Sequence, residues 1–275
     1  MEILIGCDVD PVLPAGIGKP LQEDQWSALG KIEDLRKAAG GSLPVMTWLI
    51  RADDSVRFAT GDFSSGYLSK KALWEDLRRK GHELGWHMHL MSREAGSGVF
   101  RFDREPSWLG LAHGALSRHF PVRACRTGWG YGSNRLFRSL DALGLEVDFS
   151  AMPGNRMWFK LERDTVDVDW LRCLPGLYHP GADDYRRPGA GGLNILEVPI
   201  AQFPNSLIGM ARRAVWRAGH GCLATSGMNN KTRLLTQNWP TPPKLESEIL
   251  AFSFHPEGLT DDGIRSFMRN VQSLR

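Results

Sequence analysis

The sequence predicts an α/β protein built around a mainly parallel sheet. Short apolar runs that fit strands alternate with longer stretches in which apolar residues recur every three to four positions, as on one helix face. Three of the apolar runs end in ionisable residues, at Asp8, His87 and His255. Because the carboxyl ends of parallel strands meet at one edge of a sheet or barrel, these residues are expected to form one site.

Seven strands are predicted, each from a short run of apolar or β-branched residues bounded by turn residues. The first run, Ile3, Leu4 and Ile5, leads directly into two carboxylates, and the third carries two imidazoles at alternating positions. In chain order, the predicted strands cover residues 3–8, 44–50, 82–89, 122–126, 145–150, 194–199 and 251–255.

Six helices are predicted between and after these strands. The first is the clearest case, because Trp26, Leu29, Ile32 and Leu35 fall on one helical face. Ser69 is the expected N-cap of the second, since serine accepts hydrogen bonds from the free N–H groups of a first turn. The predicted helices cover residues 24–39, 69–80, 106–119, 133–143, 205–218 and 260–274.

One segment, residues 151–192, fits neither pattern and is rich in Pro, Gly, Trp and Tyr. We expect an irregular substrate loop there, because long loops in compact domains are often functional. The chain has no internal repeat and no low-complexity linker, and 275 residues are enough for one barrel-sized domain. Residues 1–275 are therefore expected to form a single domain.

The composition argues against several classes of protein. The chain is 42% hydrophobic and 24% charged, and its net charge of +3 is spread along its length, so a nucleic-acid partner is not expected. No run approaches the roughly 18 apolar residues that a membrane-spanning helix requires. A signal peptide is not expected, because the first strand is predicted close to the start of the sequence, and the four cysteines form no CxxC pair. These features predict a cytoplasmic protein with reduced cysteines.

Residues 81–89 carry the strongest functional signal, because two of their histidines lie two positions apart. In an extended strand, side chains at i and i+2 leave the same face, so His87 and His89 can converge on one ion. Asp8 and Asp10 have the same spacing after the first strand. Carboxylates and imidazoles are common metal ligands, which favours a metal site. The alternative is that the aspartates form a turn and the histidines are structural.

In their order along nearly the whole chain, these segments resemble the polysaccharide deacetylase superfamily, the metal-dependent carbohydrate esterases built on a distorted (β/α)7-8 barrel. The motifs that carry the resemblance are Cys7-Asp8-Val9-Asp10, the Gly-His-Glu-Leu-Gly sequence of residues 81–85, Arg126-Thr127-Gly128-Trp129, Asp169-Trp170 and Ser253-Phe254-His255-Pro256.

The chain departs from the family pattern in two places. The family's second ligand histidine lies four residues after the first, where this chain has Met91, so His89 is the natural replacement. The usual proline and tyrosine after the motif arginine, Arg126, are absent.

By this resemblance, Asp10, His87 and His89 would hold a divalent metal, with Zn²⁺ as the first choice and Co²⁺ or Ni²⁺ as alternatives. A metal with open coordination positions polarises a carbonyl and lowers the pKa of water, and amide hydrolysis needs both effects. The backbone N–H near Trp129 would join the metal in stabilising the oxyanion.

The remaining motif residues would move and orient protons. Asp8 would act as the general base, and Arg126 would pair with it and keep its carboxylate ionised. His255 would act as the general acid, because an imidazole titrates near neutral pH. Asp169 would hydrogen-bond His255 and fix its tautomer.

Several tryptophans lie beside candidate site residues, and flat apolar rings suit the C–H faces of sugars. Trp86, Trp129 and Trp170 are candidates for contact with a sugar, and Trp158 is a fourth. Packing in the core is the alternative for each of them.

The sequence therefore predicts a hydrolase of linear amide C–N bonds: a cytoplasmic N-deacetylase acting on an N-acetylated sugar or on a lipid- or nucleotide-linked glycan intermediate. A deformylase or another linear amide hydrolase on the same scaffold is the second interpretation. The third is a non-catalytic carbohydrate-binding protein, favoured by Met91 and by the altered turn after Arg126. A basic amphipathic stretch at 207–217 is expected to pack on the barrel, with contact to an anionic lipid surface as its alternative.

Overall fold

The structure is a computed structural model, and it describes residues 2–11, 26–94, 96, 99–161, 164–201, 203–204, 223–224, 228–229, 249–256 and 259–274. The predicted helix at 205–218 and the basic stretch at 207–217 lie outside the described residues, as do the first two residues of the helix predicted at 24–39.

The described residues contain fourteen strands: seven match the predicted strands, and seven are additional. In chain order they are β1 (Glu2–Val9), β2 (Thr47–Arg51), β3 (Glu83–Met88), β4 (Met91–Arg93), β5 (Phe100–Phe102), β6 (Ala124–Thr127), β7 (Val147–Asp148), β8 (Arg156–Leu161), β9 (Asp164–Asp169), β10 (Leu196–Glu197), β11 (Phe203–Pro204), β12 (Leu223–Ala224), β13 (Met228–Asn229) and β14 (Ile249–Phe254).

The seven predicted strands form one sheet, in the spatial order β10-β7-β6-β3-β2-β1-β14. Every neighbouring pair is parallel, which confirms the predicted α/β class. One further bridge joins Ile200, after β10, to Ala251 in β14, so the sheet curls until its two edges approach. The fold is a curled, parallel half-barrel, and a complete (β/α)7-8 barrel stays a prediction.

Five of the six predicted helices are present, and two short helices are added. The described helices are α1 (Ala28–Ala39), α2 (Asp54–Thr60), α3 (Ser65–Leu68), α4 (Lys71–Arg79), α5 (Leu109–Ser117), α6 (Asn134–Ala142) and α7 (Asp261–Leu274). None of them combines the length and the hydrophobicity needed to cross a bilayer.

The two short helices, α2 and α3, are absent from the sequence prediction. Asp53 starts α2 by accepting hydrogen bonds from the N–H groups of Ser55 and Val56, at 3.0 and 3.1 Å. The prediction that Ser69 caps the next helix is wrong, because its hydroxyl donates to the carbonyl of Ser65 at 2.7 Å and it ends α3. Helices of four and seven residues are too short to show a helical period in the sequence.

The segment 151–192 is more regular than predicted. It contains the antiparallel hairpin of β8 and β9, which β12 extends. Val166 and Val168 in β9 are fully buried and alternate with exposed polar residues, which is the pattern of a strand with one buried face. The hairpin of β4 and β5 is bonded to the β8–β9 hairpin through Arg101, which donates to both oxygens of Asp164, each at 2.8 Å. A paired hairpin therefore replaces much of the irregular loop.

The strands bury different side chains on the two faces of the curled sheet. Trp48 in β2 belongs to a large cluster shared with the helices, whereas its neighbour Leu49 belongs to a small cluster on the opposite, inner face. The same alternation directs Asp8, His87 and Arg126 to the inner face, since both chain neighbours of Asp8 and His87 belong to the large cluster. Strand geometry thus delivers three predicted site residues to one side of the sheet.

Candidate metal centre

Four strands bring ionisable side chains to one edge of the sheet. Asp8 lies near the end of β1, His87 in β3 and Arg126 in β6, and His255 follows β14 directly. Across β3 and β6, the register pairs His87 with Arg126. Because parallel strands end at the same edge, side chains that are far apart in the sequence meet here.

Three potential metal ligands face one another at this edge. The Nε2 atoms of His87 and His89 are 3.1 Å apart, and they lie 3.5 and 3.8 Å from Oδ1 of Asp10. Ligand atoms around a tetrahedral zinc ion are separated by about 3.3 Å, so this triangle has the right size and chemistry for one divalent ion. Within the described ranges, no other group of three His, Cys, Asp or Glu side chains is close enough to share an ion.

The ring of His87 is oriented by the main chain of the neighbouring strand. Its Nδ1 lies 3.0 Å from the carbonyl oxygen of Arg126. Because a carbonyl can only accept a hydrogen bond, Nδ1 carries the proton, and the lone pair of Nε2 faces the space between the three ligands, where a metal ion would accept it.

His89 is held through its backbone and through a close approach to a glycine. Its N–H donates to Oδ2 of Asp53 at 3.1 Å. A Cβ at Gly128 would lie only 2.6 Å from atoms of the imidazole ring, so this position of His89 requires glycine at 128.

The charges around the triangle favour the protonation states that bind a metal. Burial raises the pKa of Asp10, but the electrostatic interaction with His87, a hydrogen bond with His255 and the charge of Arg51 outweigh it, and the pKa lies well below its ordinary value. Burial and the charge of Arg51 hold the pKa of His89 well below its ordinary value. At neutral pH, Asp10 is therefore an anion and His89 a neutral imidazole, as metal binding requires.

Asp8 is buried beside the triangle, and its two oxygens have different surroundings. Oδ2 lies 3.3 Å from Nε of Arg126, 3.5 Å from Nε2 of His255 and 3.4 Å from the hydroxyl of Ser253. Oδ1 is buried and accepts no hydrogen bond from any described residue. One oxygen is therefore held in place, while the other is available for a proton.

His255 lies between the two aspartates of the first motif. Its Nε2 faces Asp8, and its Nδ1 lies 3.4 Å from Oδ2 of Asp10. Asp169, the expected partner of His255, instead accepts from Nη1 of Arg186 at 2.7 Å and from the N–H of Leu171 at 3.0 Å. This corrects the prediction for Asp169, because its carboxylate pairs with Arg186, a residue that the sequence pattern did not single out.

Sequence reasoning missed Arg51 and Asp53, which lie at and just beyond the end of β2. Nε of Arg51 donates to Oδ2 of Asp53 at 2.7 Å, and Nη1 lies 3.4 Å from Oδ1 of Asp10. Through Asp53, this buried pair also reaches the backbone of His89. The signal is present in the sequence, since an apolar run followed by ionisable residues marks the other site strands as well.

Trp86 and Trp170 are core residues, which corrects their prediction as sugar contacts. Both are fully buried, and their Nε1 atoms donate to the carbonyls of Ala52 and Gly130, at 2.7 and 2.6 Å. Trp86 precedes His87 in β3, so the strand that directs the histidine inward must direct the tryptophan into the outer core.

Trp129 stands beside the candidate centre as part of an aromatic wall, formed by Phe102, Trp129 and Phe159. The Trp129 ring centre is 4.5 Å from that of His89, 5.3 Å from that of Phe159 and 6.5 Å from that of Phe102. Within the described part of the chain, Trp129 is also the one non-glycine residue with positive φ, at 58°. That conformation costs about 1–2 kcal/mol, and such outliers cluster at functional sites. Trp158, the fourth candidate, is half-buried in β8.

A cavity of about 570 Å³ lies away from this centre, near the amino end of β3. Its lining residues are Glu33, Arg36, Lys37, Gly41, Leu43, Leu77, Lys80 and His82. The basic side chains come from the ends of α1 and α4, where they compensate the negative helix termini, and Arg36 and Lys80 pair with Asp76. These contacts explain the charges structurally, so the cavity is not a second candidate site.

Comparison with known proteins bears on the fold. No protein-family model and no curated protein matches the chain. A crystal structure from Mycobacterium smegmatis, of a protein assigned by inference as a polysaccharide deacetylase, is similar to this one. The match covers 98% of this chain and 83% of the Mycobacterium chain, with a TM-score of 0.50 and 13% identity. A crystal structure from Bordetella bronchiseptica, of a protein assigned by inference as a polysaccharide deacetylase of O-antigen biosynthesis, matches 99% of this chain and covers 90% of the Bordetella chain, with 13% identity. Its TM-score of 0.47 is too low to support an argument about this chain. The chain therefore has a divergent fold of the polysaccharide deacetylase type.

Proposed function

We propose that this chain is a metal-dependent hydrolase that removes the acetyl group from an N-acetylated sugar or from a lipid- or nucleotide-linked glycan intermediate. The observation that carries the proposal is the position of the Asp10–His87–His89 triangle directly beside Asp8 and His255. A metal site next to a buried carboxylate and a histidine supports hydrolysis, whereas a binding protein needs no base and acid at the same place.

The triangle supplies one oxygen and two nitrogens, which leave coordination positions open for water and substrate. We propose Zn²⁺, with Co²⁺ or Ni²⁺ as alternatives, because this mixed ligand set suits those ions. When bound, the metal would polarise the acetamide carbonyl and make water more acidic.

Asp8 would act as the general base. Its Oδ1 would take the proton of the attacking water, because that oxygen is buried and no described residue donates to it. Arg126 would keep the carboxylate oriented through Oδ2.

His255 would act as the general acid and protonate the departing amine. Its two nitrogens face Asp8 and Asp10, and two carboxylates stabilise a proton on the ring. The N–H near Trp129 would donate to the oxygen on which negative charge develops.

The aromatic wall supports a sugar as the substrate. Its three rings come from three separate segments of the chain. Trp129 contacts the ring of His89, and Phe102 and Phe159 pack against Trp129. Flat apolar rings next to an acid–base pair suit a ligand with C–H faces and one reactive polar group.

Release of acetate tests this proposal. Purified protein supplied with Zn²⁺ is incubated with oligosaccharides of N-acetylglucosamine, and acetate and free amine are quantified. Acetate release by the wild type and by the control Asp262→Asn, whose side chain is exposed, is expected, with none from Asp8→Asn. Release of formate from N-formyl sugars without acetate would favour the deformylase, and sugar binding without any acyl release would overturn the proposal.

A further inference from the structure

Two buried carboxyl groups lie side by side on neighbouring strands of the main sheet. Asp148 in β7 and Glu197 in β10 are register partners across the sheet, and both are fully buried. Neither belongs to the motifs described above, and neither pairs with an arginine or lysine in the described residues. Two buried carboxylates that are direct neighbours on adjacent strands cannot both be ionised without a large electrostatic cost.

The hydrogen bonds around the pair indicate where a proton resides. Oδ1 and Oδ2 of Asp148 accept from the hydroxyl and the N–H of Ser150, at 2.8 and 2.9 Å. Oε1 of Glu197 accepts from the N–H of Ala151 at 2.9 Å, but Oε2 is buried and no described residue donates to it. A proton on Glu197, shared with the ionised Asp148, satisfies both side chains.

The electrostatic surroundings agree with this assignment. Burial, then the charge of Asp148 and a hydrogen bond to it, raise the pKa of Glu197 well above its ordinary value, and the nearby Arg126 opposes the shift. Burial also raises the pKa of Asp148. The neighbouring thiol of Cys125 adds no charge, because burial and Asp148 raise its pKa.

The pair is connected to the turn that carries Trp129. Ser150, which bonds Asp148 twice, accepts from the N–H of Thr127 at 2.9 Å. The hydroxyl of Thr127 then donates to the carbonyl of Tyr131 at 2.6 Å and so closes the turn from 127 to 131. This turn contains the strained backbone of Trp129, which needs such external support to persist.

We propose that Asp148 and Glu197 share one proton and act as a positioning pair, which fixes the 127–131 turn beside the candidate centre through Ser150 and Thr127. Asp148 is the anion that orients Ser150, and Glu197 is the acid that donates to Asp148. The consequence for acyl release rests on the proposed function, whereas the shared proton and the support of the turn do not.

Infrared spectroscopy of the full-length protein tests the shared proton. At neutral pH, the wild type is expected to show the carbonyl band of a buried protonated carboxyl. Glu197→Gln should lose this band, whereas the control Glu146→Gln, at an exposed position two residues before Asp148, should keep it. Absence of the band in the wild type, or its persistence in Glu197→Gln, would overturn the assignment of the proton.

Hydrogen exchange and kinetics test the positioning role. Asp148→Asn and Ser150→Ala should accelerate amide exchange of Thr127. The first replaces one of the two oxygens that accept from Ser150 with an NH₂ donor, and the second removes the hydroxyl that accepts from the N–H of Thr127. If the proposed function holds, Asp148→Asn and Ser150→Ala should each lower kcat by about 10²-fold with little change in KM. Glu197→Gln should retain more activity than Asp148→Asn, because its amide is a neutral donor that can replace the carboxylic acid. Unchanged exchange of Thr127 in both variants would overturn the proposal, even if the chain proves inactive.

Discussion

Nη1 of Arg51 lies 3.4 Å from Oδ1 of Asp10, the same oxygen that faces both ligand histidines. The guanidinium is buried and also pairs with Asp53, so one cation lies between two carboxylates at the end of β2. Arg51 therefore moderates the negative charge of the candidate metal ligand and fixes its position.

Arg51→Met is expected to lower the free energy of unfolding by about 3–5 kcal/mol, because removing one partner leaves buried carboxylates without compensation. Urea-induced unfolding measures the change. Arg156→Met is the matched control, since its pair with Asp167 at 3.1 Å is half-exposed and contributes little. Equal effects of the two substitutions would contradict the role assigned to Arg51.

Gly128→Ala tests the packing that positions His89. The added Cβ would lie 2.6 Å from the imidazole ring, so the ring has to leave the position in which it faces the other ligands. Misplacing a ligand in this way is expected to weaken metal affinity by about 10–100-fold, which calorimetric titration with Zn²⁺ measures.

Gly30→Ala in α1 is the control for this substitution. A Cβ there meets no atom within 4 Å, and alanine is the better helix former, so unchanged metal affinity and equal or higher stability are expected. If Gly128→Ala binds Zn²⁺ as tightly as the wild type, His89 is not held by this contact.

His255→Gln separates proton transfer from metal binding. Loss of a general acid lowers kcat for acyl release by about 10²–10⁴-fold, and the metal content should stay that of the wild type. His179→Gln is the control, because the Nδ1 of His179 bonds the carbonyl of Ile195 in the loop before β10. A His255→Gln variant with full activity would exclude His255 as the acid.

The pH dependence of stability offers a test of Glu197. The folded protein keeps a proton on this side chain above its ordinary pKa of 4.5, whereas the unfolded chain releases it. The unfolded state then binds fewer protons, so the free energy of unfolding falls as the pH rises above that value.

Glu197→Gln removes this titration, and its stability relative to the wild type should increase between pH 4.5 and neutral pH. Denaturant unfolding at a series of pH values measures the difference, with Glu146→Gln as the control. A difference that does not change with pH would mean that Glu197 is ionised in the folded protein.

The sequence predicts the main sheet well because its strands are strongly patterned. All seven strands of the sheet are found, and Asp8, His87 and His255 meet because parallel strands end at one edge. Strand ends can be read locally, since they depend on an apolar run and on the residue that follows it.

The parts that were mispredicted depend on contacts between distant residues. Asp169 forms an ion pair with Arg186, and Trp170 is buried with its Nε1 bonded to the carbonyl of Gly130. A local sequence pattern reveals neither of these two contacts. The β8–β9 hairpin is different, because the alternation of Val166 and Val168 with polar residues was visible and the richness in Pro and Gly around it concealed the strand.

Metal content tests the central claim most directly. Elemental analysis of the purified protein, after incubation with zinc, cobalt or nickel salts and removal of excess metal, should give close to one metal ion per chain. His87→Ala and His89→Ala should each lose the ion, whereas the control His179→Ala should retain it. A wild type that binds none of these metals, or a metal content that survives both ligand substitutions, would contradict the account.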